Sequence, residues 1–212
     1  TARRRFTMLQ SRPEHESRVA ALVLAAGASS RLGSAKQLVV HRGQPLVRRA
    51  AAAAADAGTR RTIVVLGAHT GKIEPVLVDM PHVATVVNEQ WRDGIASSIA
   101  AGVREALRFD ADVDGVLITL VDQPFVDAPA LRRLLDAFAH AHRVVAAEYA
   151  TTIGVPAVIG REHFADLLAL TGDTGAGQWM RARPERVHRV RLPDASVDID
   201  TAEDAATLAT IP

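Results

Sequence analysis

Arg31 and Lys36 stand just beyond an apolar run, in the small-residue loop Gly27-Ala28-Ser29-Ser30-Arg31-Leu32-Gly33-Ser34-Ala35-Lys36. Two cations beside glycines whose N–H groups can turn inward supply what a triphosphate needs. Lys36 is one of two lysines among 25 basic residues, so a chain that otherwise uses arginine has a compact ammonium here. Carboxylates answer these cations in two places. Asp122, in Leu120-Val121-Asp122-Gln123-Pro124, sits at the tip of an apolar run, where it could hold a hard cation through oxygen. Asp198 and Asp200 flank Ile199, and in an extended stretch both fall on one face, with Asp200 the favoured second ligand. Asn88 opens Asn88-Glu89-Gln90-Trp91-Arg92-Asp93-Gly94-Ile95-Ala96-Ser97-Ser98 and carries both donor and acceptor for a base or ribose. Each motif also has a plain reading: solvated charges on a strand-to-helix turn, an Asx-type cap before Pro124, a capped loop with Trp91 as a surface plug.

The elements that would position these residues follow from periodicity. Buried strands are predicted at 19–26, 62–66, 83–87, 115–121, 144–147, 155–159 and 187–192. Helices are predicted at 44–57, 73–78, 97–108, 128–142, 161–170, 175–181 and 201–210, with Asp127 capping one and Asp200 or Thr201 capping the last. Gly94 would make a tight turn and Ser97 would cap the helix after it. Alternation of strand and helix predicts a mostly parallel α/β sheet covered on both faces, with ligands at the carboxyl ends of its strands.

Composition narrows the classes. A length of 212 residues suits one α/β domain, expected over 19–212, preceded by an arginine-rich arm at 1–18 that is disordered or loosely docked. Net charge of +1 implies neither a nucleic-acid nor a membrane field. Without cysteine there is no disulfide, thiolate nucleophile or zinc–sulfur site, and the eight histidines form no cluster. No apolar run is long enough to span a membrane and no signal-like segment opens the chain, so a cytoplasmic location is expected. The dinucleotide fingerprint is excluded because five residues separate Gly27 from Gly33. Gly67-Ala68-His69-Thr70-Gly71-Lys72-Ile73 is one residue short of a P-loop and lacks its final Ser/Thr.

Leu24-Ala25-Ala26-Gly27 through Lys36 resembles the signature loop of the MobA-like nucleotidyltransferases, most of all the branch that makes molybdopterin cytosine dinucleotide. The resemblance extends over about 19–210, through the Asn88 loop, Asp122-Gln123-Pro124 and Asp198-Ile199-Asp200-Thr201. It implies a Rossmann-like three-layer fold, CTP or another NTP as substrate, Mg2+, a molybdopterin-type phosphate acceptor and a molybdoenzyme that receives the product. Arg31, Lys36 and Asp122 are then the catalytic residues. Leu24, Ala25, Ala26, Gly27, Asn88, Gly94, Ser97 and Ser98 join Arg31 and Lys36 around the nucleotide, and Asp122 and Asp200 hold the metal. CTP is preferred because the guanylyl branch has glycine where Ala26 adds a methyl group. Gly154, Pro156, Asp173 and Gly175 match the acceptor side. There Val155 replaces a histidine and Gly177 an arginine, while Ala202 replaces a proline in the closing motif. Two alternatives stay open: a guanylyl- or sugar/alcohol-phosphate nucleotidyltransferase, or a non-catalytic cofactor carrier. A further expectation is that Asp122 repels Asp200 without metal, so that Asp122→Asn leaves stability level or raises it.

Overall fold

The computed structural model describes residues 18–140 and 143–211, so the expected arm, apart from Arg18, and His142 lie outside the described residues. In chain order the elements are β1 (Val19–Leu24), β2 (Val40–His41), β3 (Gln44–Pro45), α1 (Leu46–Asp56), β4 (Arg61–Leu66), α2 (Thr70–Ile73), β5 (Val83–Val87) and α3 (Ile95–Phe109). They continue with β6 (Gly115–Leu120), α4 (Ala128–Ala139), β7 (Val144–Tyr149), β8 (Thr152–Gly160), α5 (Phe164–Leu168), α6 (Ala176–Arg181), β9 (His188–Arg191) and α7 (Ala202–Thr210).

Seven strands form one sheet in the order β5-β4-β1-β6-β8-β7-β9. The pairs β4–β5, β1–β4, β1–β6 and β7–β9 are parallel, and β8 runs antiparallel to both neighbours. Alternation along β1 divides its side chains between two cores. Val19, Ala21 and Val23 pack with α1 (Val47, Ala51) and α4 (Leu131, Leu134). Ala20, Leu22 and Leu24 pack with α3 (Ile99, Val103), α5 (Phe164) and α6 (Met180). A central strand sealed on both faces explains why β1 reads as an unbroken apolar run. The result is the expected three-layer α/β arrangement.

Boundaries differ where local contacts override pattern. Gln44 and Pro45 pair with Val40 and His41, so α1 starts one residue after the proline. α3 begins at Ile95, two residues before the expected cap. Asp127 does cap α4, accepting from Ala130 N–H at 2.8 Å, and Thr201 with Asp204 forms a reciprocal capping box on α7. The larger difference is β8. It is antiparallel, so its first residues, not its last, reach the end of the sheet where β6 delivers Asp122. Its register slips between Ala146/Ala157 and Ala147/Gly154, which bulges Val155 and Pro156 out of the ladder. Among the described residues no helix is long and apolar enough to cross a membrane.

Candidate active site

The loop after β1 is held open from beneath. Gln37, 1% exposed, donates its amide hydrogens to the carbonyls of Ala25 (2.8 Å) and Gly27 (2.9 Å). Ser29 Oγ accepts from the N–H of Lys36 at 3.1 Å. With the carbonyls anchored, Leu24, Ala25, Ala26 and Gly27 line one wall of a cleft of about 530 Å³. Gln37 was missed in the sequence. The signal was an uncharged polar residue opening the apolar stretch 38–40, a position that only burial could turn into a staple.

The carboxylates come from the end of β6 and from the 198–200 stretch. Asp122 leaves β6 at the floor of the cleft. Its carbonyl accepts from Ile199 N–H at 2.9 Å, which ties the 198–200 stretch alongside. Ile199 is buried with Leu46 and Leu208, so the aspartates on either side of it face outward. Asp200 is the one that meets the cations. Lys36 Nζ lies 2.5 Å from Asp122 Oδ2 and 3.1 Å from Asp200 Oδ1, and Arg31 Nη1 lies 3.1 Å from Asp200 Oδ2. Burial works against the Lys36 charge, but Asp122 and Asp200 outweigh it and raise its pKa above the ordinary lysine value. Asp198 is pushed up by burial, then by the like charges of Asp200 and Asp122.

This geometry fits a divalent cation. Asp122 Oδ1 is buried with no hydrogen-bond partner, and the Lys36 ammonium already bridges the two carboxylates as a cation would. Among the described residues no group of three or more His, Asp or Glu side chains is arranged to hold a metal. Phosphate oxygens and water would therefore have to complete the shell, as magnesium prefers.

The Asn88 loop corrects one expectation. Asn88 is 5% exposed and its amide is engaged within the loop: Nδ2 donates to Ser97 Oγ (2.8 Å) and Ser98 Oγ (3.0 Å), and Oδ1 accepts from Gln90 N–H (3.0 Å). It does not line the cleft, and it shapes the loop instead of offering a base-reading edge. Ser97 is corrected likewise. It does not cap α3 but lies in its first turn, with Oγ donating toward the carbonyls of Gly94 and Gln90, both at 2.8 Å. Ser98 does reach the cleft, as do Trp91 and Arg92, whose guanidinium stacks 4.3 Å from the Trp91 ring centroid. Neither aromatic nor cation was singled out in the sequence as a wall of the cleft. Ala26 also lines it, its methyl facing Gly67, where a Cβ would come within 2.9 Å.

Gly94 earns its place geometrically: its φ is +99°, and a Cβ there would stand 2.2 Å from the carbonyl oxygen of Gly172. Through this approach, and the bond from Ala96 N–H to Gly172 O at 3.1 Å, the loop carrying Asp173 is pinned to the cleft. Asp173, expected on the acceptor side, thus lines the same cleft as the glycine loop. Gly94→Ala is expected to cost about 2 kcal/mol or more in a urea melt and to weaken nucleotide binding, since strain and collision combine. An unchanged midpoint would show that the two loops are not coupled.

The remaining acceptor-side residues lie past Asp122, toward β8 and α6. Gln123, 8% exposed, donates to Val155 O (3.0 Å) and Ala195 O (2.8 Å), fastening the start of β8 beside Asp122. Gly154 and Pro156 are buried in β8, outside the cleft lining, and Gly175 packs near Ile95 at the head of α6. Arg31 is also outside the lining, its side chain 75% exposed and leaning on Asp200.

Comparisons with known proteins place the fold and the family. The family model of the MobA-like NTP transferase domain matches residues 21–189. The bifunctional protein GlmU of Caulobacter vibrioides is 33% identical over 128 residues, which cover 59% of this chain and 27% of that protein. The chain spans about a quarter of the length of the curated relatives it matches. Rv0371c from Mycobacterium tuberculosis H37Rv superimposes with a TM-score of 0.74 at 29% identity, covering 92% of this chain and 99% of that one, and has also been solved as a complex with manganese. A nucleotidyl transferase from Methanothermobacter superimposes with a TM-score of 0.76 at 26% identity, covering 90% and 95%.

Proposed function

The chain belongs to the MobA-like NTP transferase family, and from that premise we propose that it transfers CMP from CTP to the terminal phosphate of a molybdopterin-type acceptor. An acceptor phosphate oxygen attacks the α-phosphorus, the bond from that phosphorus to the α–β bridging oxygen breaks, and pyrophosphate leaves with the bond's electrons. The observation that carries the reading is the convergence of Arg31 and Asp200 on Lys36 and Asp122, the last two of which line the cleft with the glycine loop. Little covalent help is needed for such a displacement; positioning and charge neutralisation dominate.

Residues of the chain divide that work. The loop 24–27 and Ser98 would seat the nucleoside, with Trp91 and Arg92 flanking it. Arg31 and Lys36 would neutralise charge on the departing pyrophosphate. Asp122 and Asp200 would hold Mg2+, which, when bound, supplies charge neutralisation at the reacting phosphates. That the Mycobacterium relative has been solved as a complex with manganese supports a divalent ion for this chain. A molybdoenzyme would be the natural recipient of the product.

CTP as the nucleotide rests on Ala26, which lines the cleft at the position where the guanylyl branch has glycine. Calorimetric titration of each NTP with magnesium is expected to give CTP the tightest binding. Pyrophosphate release is expected only when molybdopterin is added. Tighter GTP binding would overturn the cytidylyl assignment and leave the family standing.

A further inference from the structure

In-line attack requires the acceptor to approach the α-phosphate from the side opposite the leaving pyrophosphate. Arg31, Lys36 and the glycine loop follow β1, on one side of Asp122. The sheet order β1-β6-β8-β7 therefore puts the acceptor over β8 and β7. Two glycines clear a shelf there. A Cβ on Gly154 would stand 2.2 Å from the hydroxyl of Tyr149, so that hydroxyl lies directly over bare backbone. A Cβ on Gly177 would stand 3.0 Å from Arg181 Nη1 and 3.7 Å from Gly154 Cα. Gly177 and Arg181 are four residues apart on α6, hence on one face, and the guanidinium folds back over the glycine.

The shelf has unused capacity. Among the described residues Arg181 makes one hydrogen bond, Nη1 to Ile153 O at 3.1 Å, and no ion pair, leaving most of its five donors for a ligand. Tyr149 is half-buried and its hydroxyl makes no hydrogen bond among the described residues. Its pKa is raised by burial; of the charges it feels, Arg181 lowers it and Asp198 and Asp122 raise it, so the phenol keeps its proton to donate. A forked cation and a phenol donor beside a site that binds phosphates on its other flank match a phosphate monoester.

We propose that Tyr149 and Arg181 are the grip for the acceptor's phosphate monoester. This rests on the nucleotidyltransferase reading and deepens it, because it holds whichever phosphate-bearing acceptor is used. It also accounts for Gly177: a side chain there would crowd the Arg181 guanidinium, whose Nη1 would stand 3.0 Å from its Cβ.

The test uses inorganic phosphate as the probe, with the nucleotide cleft first saturated by magnesium and a CTP analogue whose α–β bridge is a methylene. Calorimetry is expected to show phosphate binding to the wild-type protein and binding about tenfold weaker or worse in Arg181→Ala. Arg181→Lys should fall between, and Tyr149→Phe should lose less. Gly177→Ala should weaken phosphate binding modestly with Arg181 intact, since its new methyl crowds the guanidinium, and alanine suits the helix. Affinity for the CTP analogue should be unchanged in all four. The proposal is overturned if the wild type binds no phosphate, if Arg181→Ala binds it as well as the wild type, or if Arg181→Ala loses the CTP analogue instead. The transferase reading fails separately: if phosphate binding behaves as expected yet no phosphate-bearing acceptor elicits pyrophosphate release from any NTP, the grip stands and the reaction does not.

Discussion

Asp122→Asn is expected to lower turnover on the order of a thousandfold or more while metal-free CTP binding changes little. Asparagine keeps the size and one acceptor oxygen but removes the charge that would anchor a divalent cation. The measurement is pyrophosphate release with molybdopterin present, set against calorimetric binding of CTP in chelator. Wild-type pyrophosphate release abolished in the variant identifies an enzyme. Its absence in the wild type, with a proven intact acceptor, favours a carrier.

For the stability of the same variant the structure changes the expected sign. Asp122 was expected to repel Asp200 in the absence of metal, so that removing its charge would leave stability level or raise it. In the structure Lys36 lies between them, 2.5 Å from one and 3.1 Å from the other, with the Lys36 and Asp122 side chains 17% and 15% exposed. The asparagine therefore leaves a part-buried ammonium with one partner instead of two. A loss of about 1–2 kcal/mol in denaturant melts is expected, less than for a wholly unpaired buried charge. A gain in stability would show that the bridge is absent in solution.

Lys36→Ala carries the second large effect: turnover should fall on the order of a hundredfold or more, the scale of one preorganised contact to developing charge. A second readout moves the other way. In the nucleotide-free protein the Lys36 ammonium occupies the gap between Asp122 and Asp200, so an incoming divalent ion has to displace it. Removing it leaves two carboxylates with Arg31 as the nearest counter-charge on Asp200, and Mn2+ alone should bind more tightly than to the wild type. In the wild type, CTP should restore Mn2+ affinity by giving the ammonium a triphosphate to contact. Electron paramagnetic resonance of free Mn2+ during titration checks both. Near-normal turnover in the variant would reduce Lys36 to a solvated residue, and weaker Mn2+ binding would remove the bridge from the account.

Some features are local. The loop Gly27 to Lys36, the caps at Asp127 and Thr201, and the strand–helix alternation are all set by residues within a few positions of each other. Conformational preference and capping are short-range effects. Asn88 shows the limit. Its type permits either reading a base or tying a loop, and the choice fell to Ser97 and Ser98, a helical turn into α3, which take both of its amide hydrogens. Gly177 is a second case. As a residue type it reads as a lost cation, whereas in the fold it is the space that Arg181 fills from four residues on.

By itself, then, the sequence determined the family, the three-layer α/β class, the cation-bearing loop and the pair of aspartates on one face of an extended stretch. The family follows from the resemblance of its motifs, the α/β class from alternation along the chain, and the loop and the aspartate pair from residue type and short spacing. Only the tertiary structure decided which charges meet. Lys36 lies 86 residues from Asp122 and 164 from Asp200. Whether those three attract or repel depends on β1 lying beside β6, and on Ile199 sinking into the core with Leu46 and Leu208. Strand order and core packing are settled by burial over the whole chain, and nothing in the neighbourhood of Lys36, Asp122 or Asp200 encodes them.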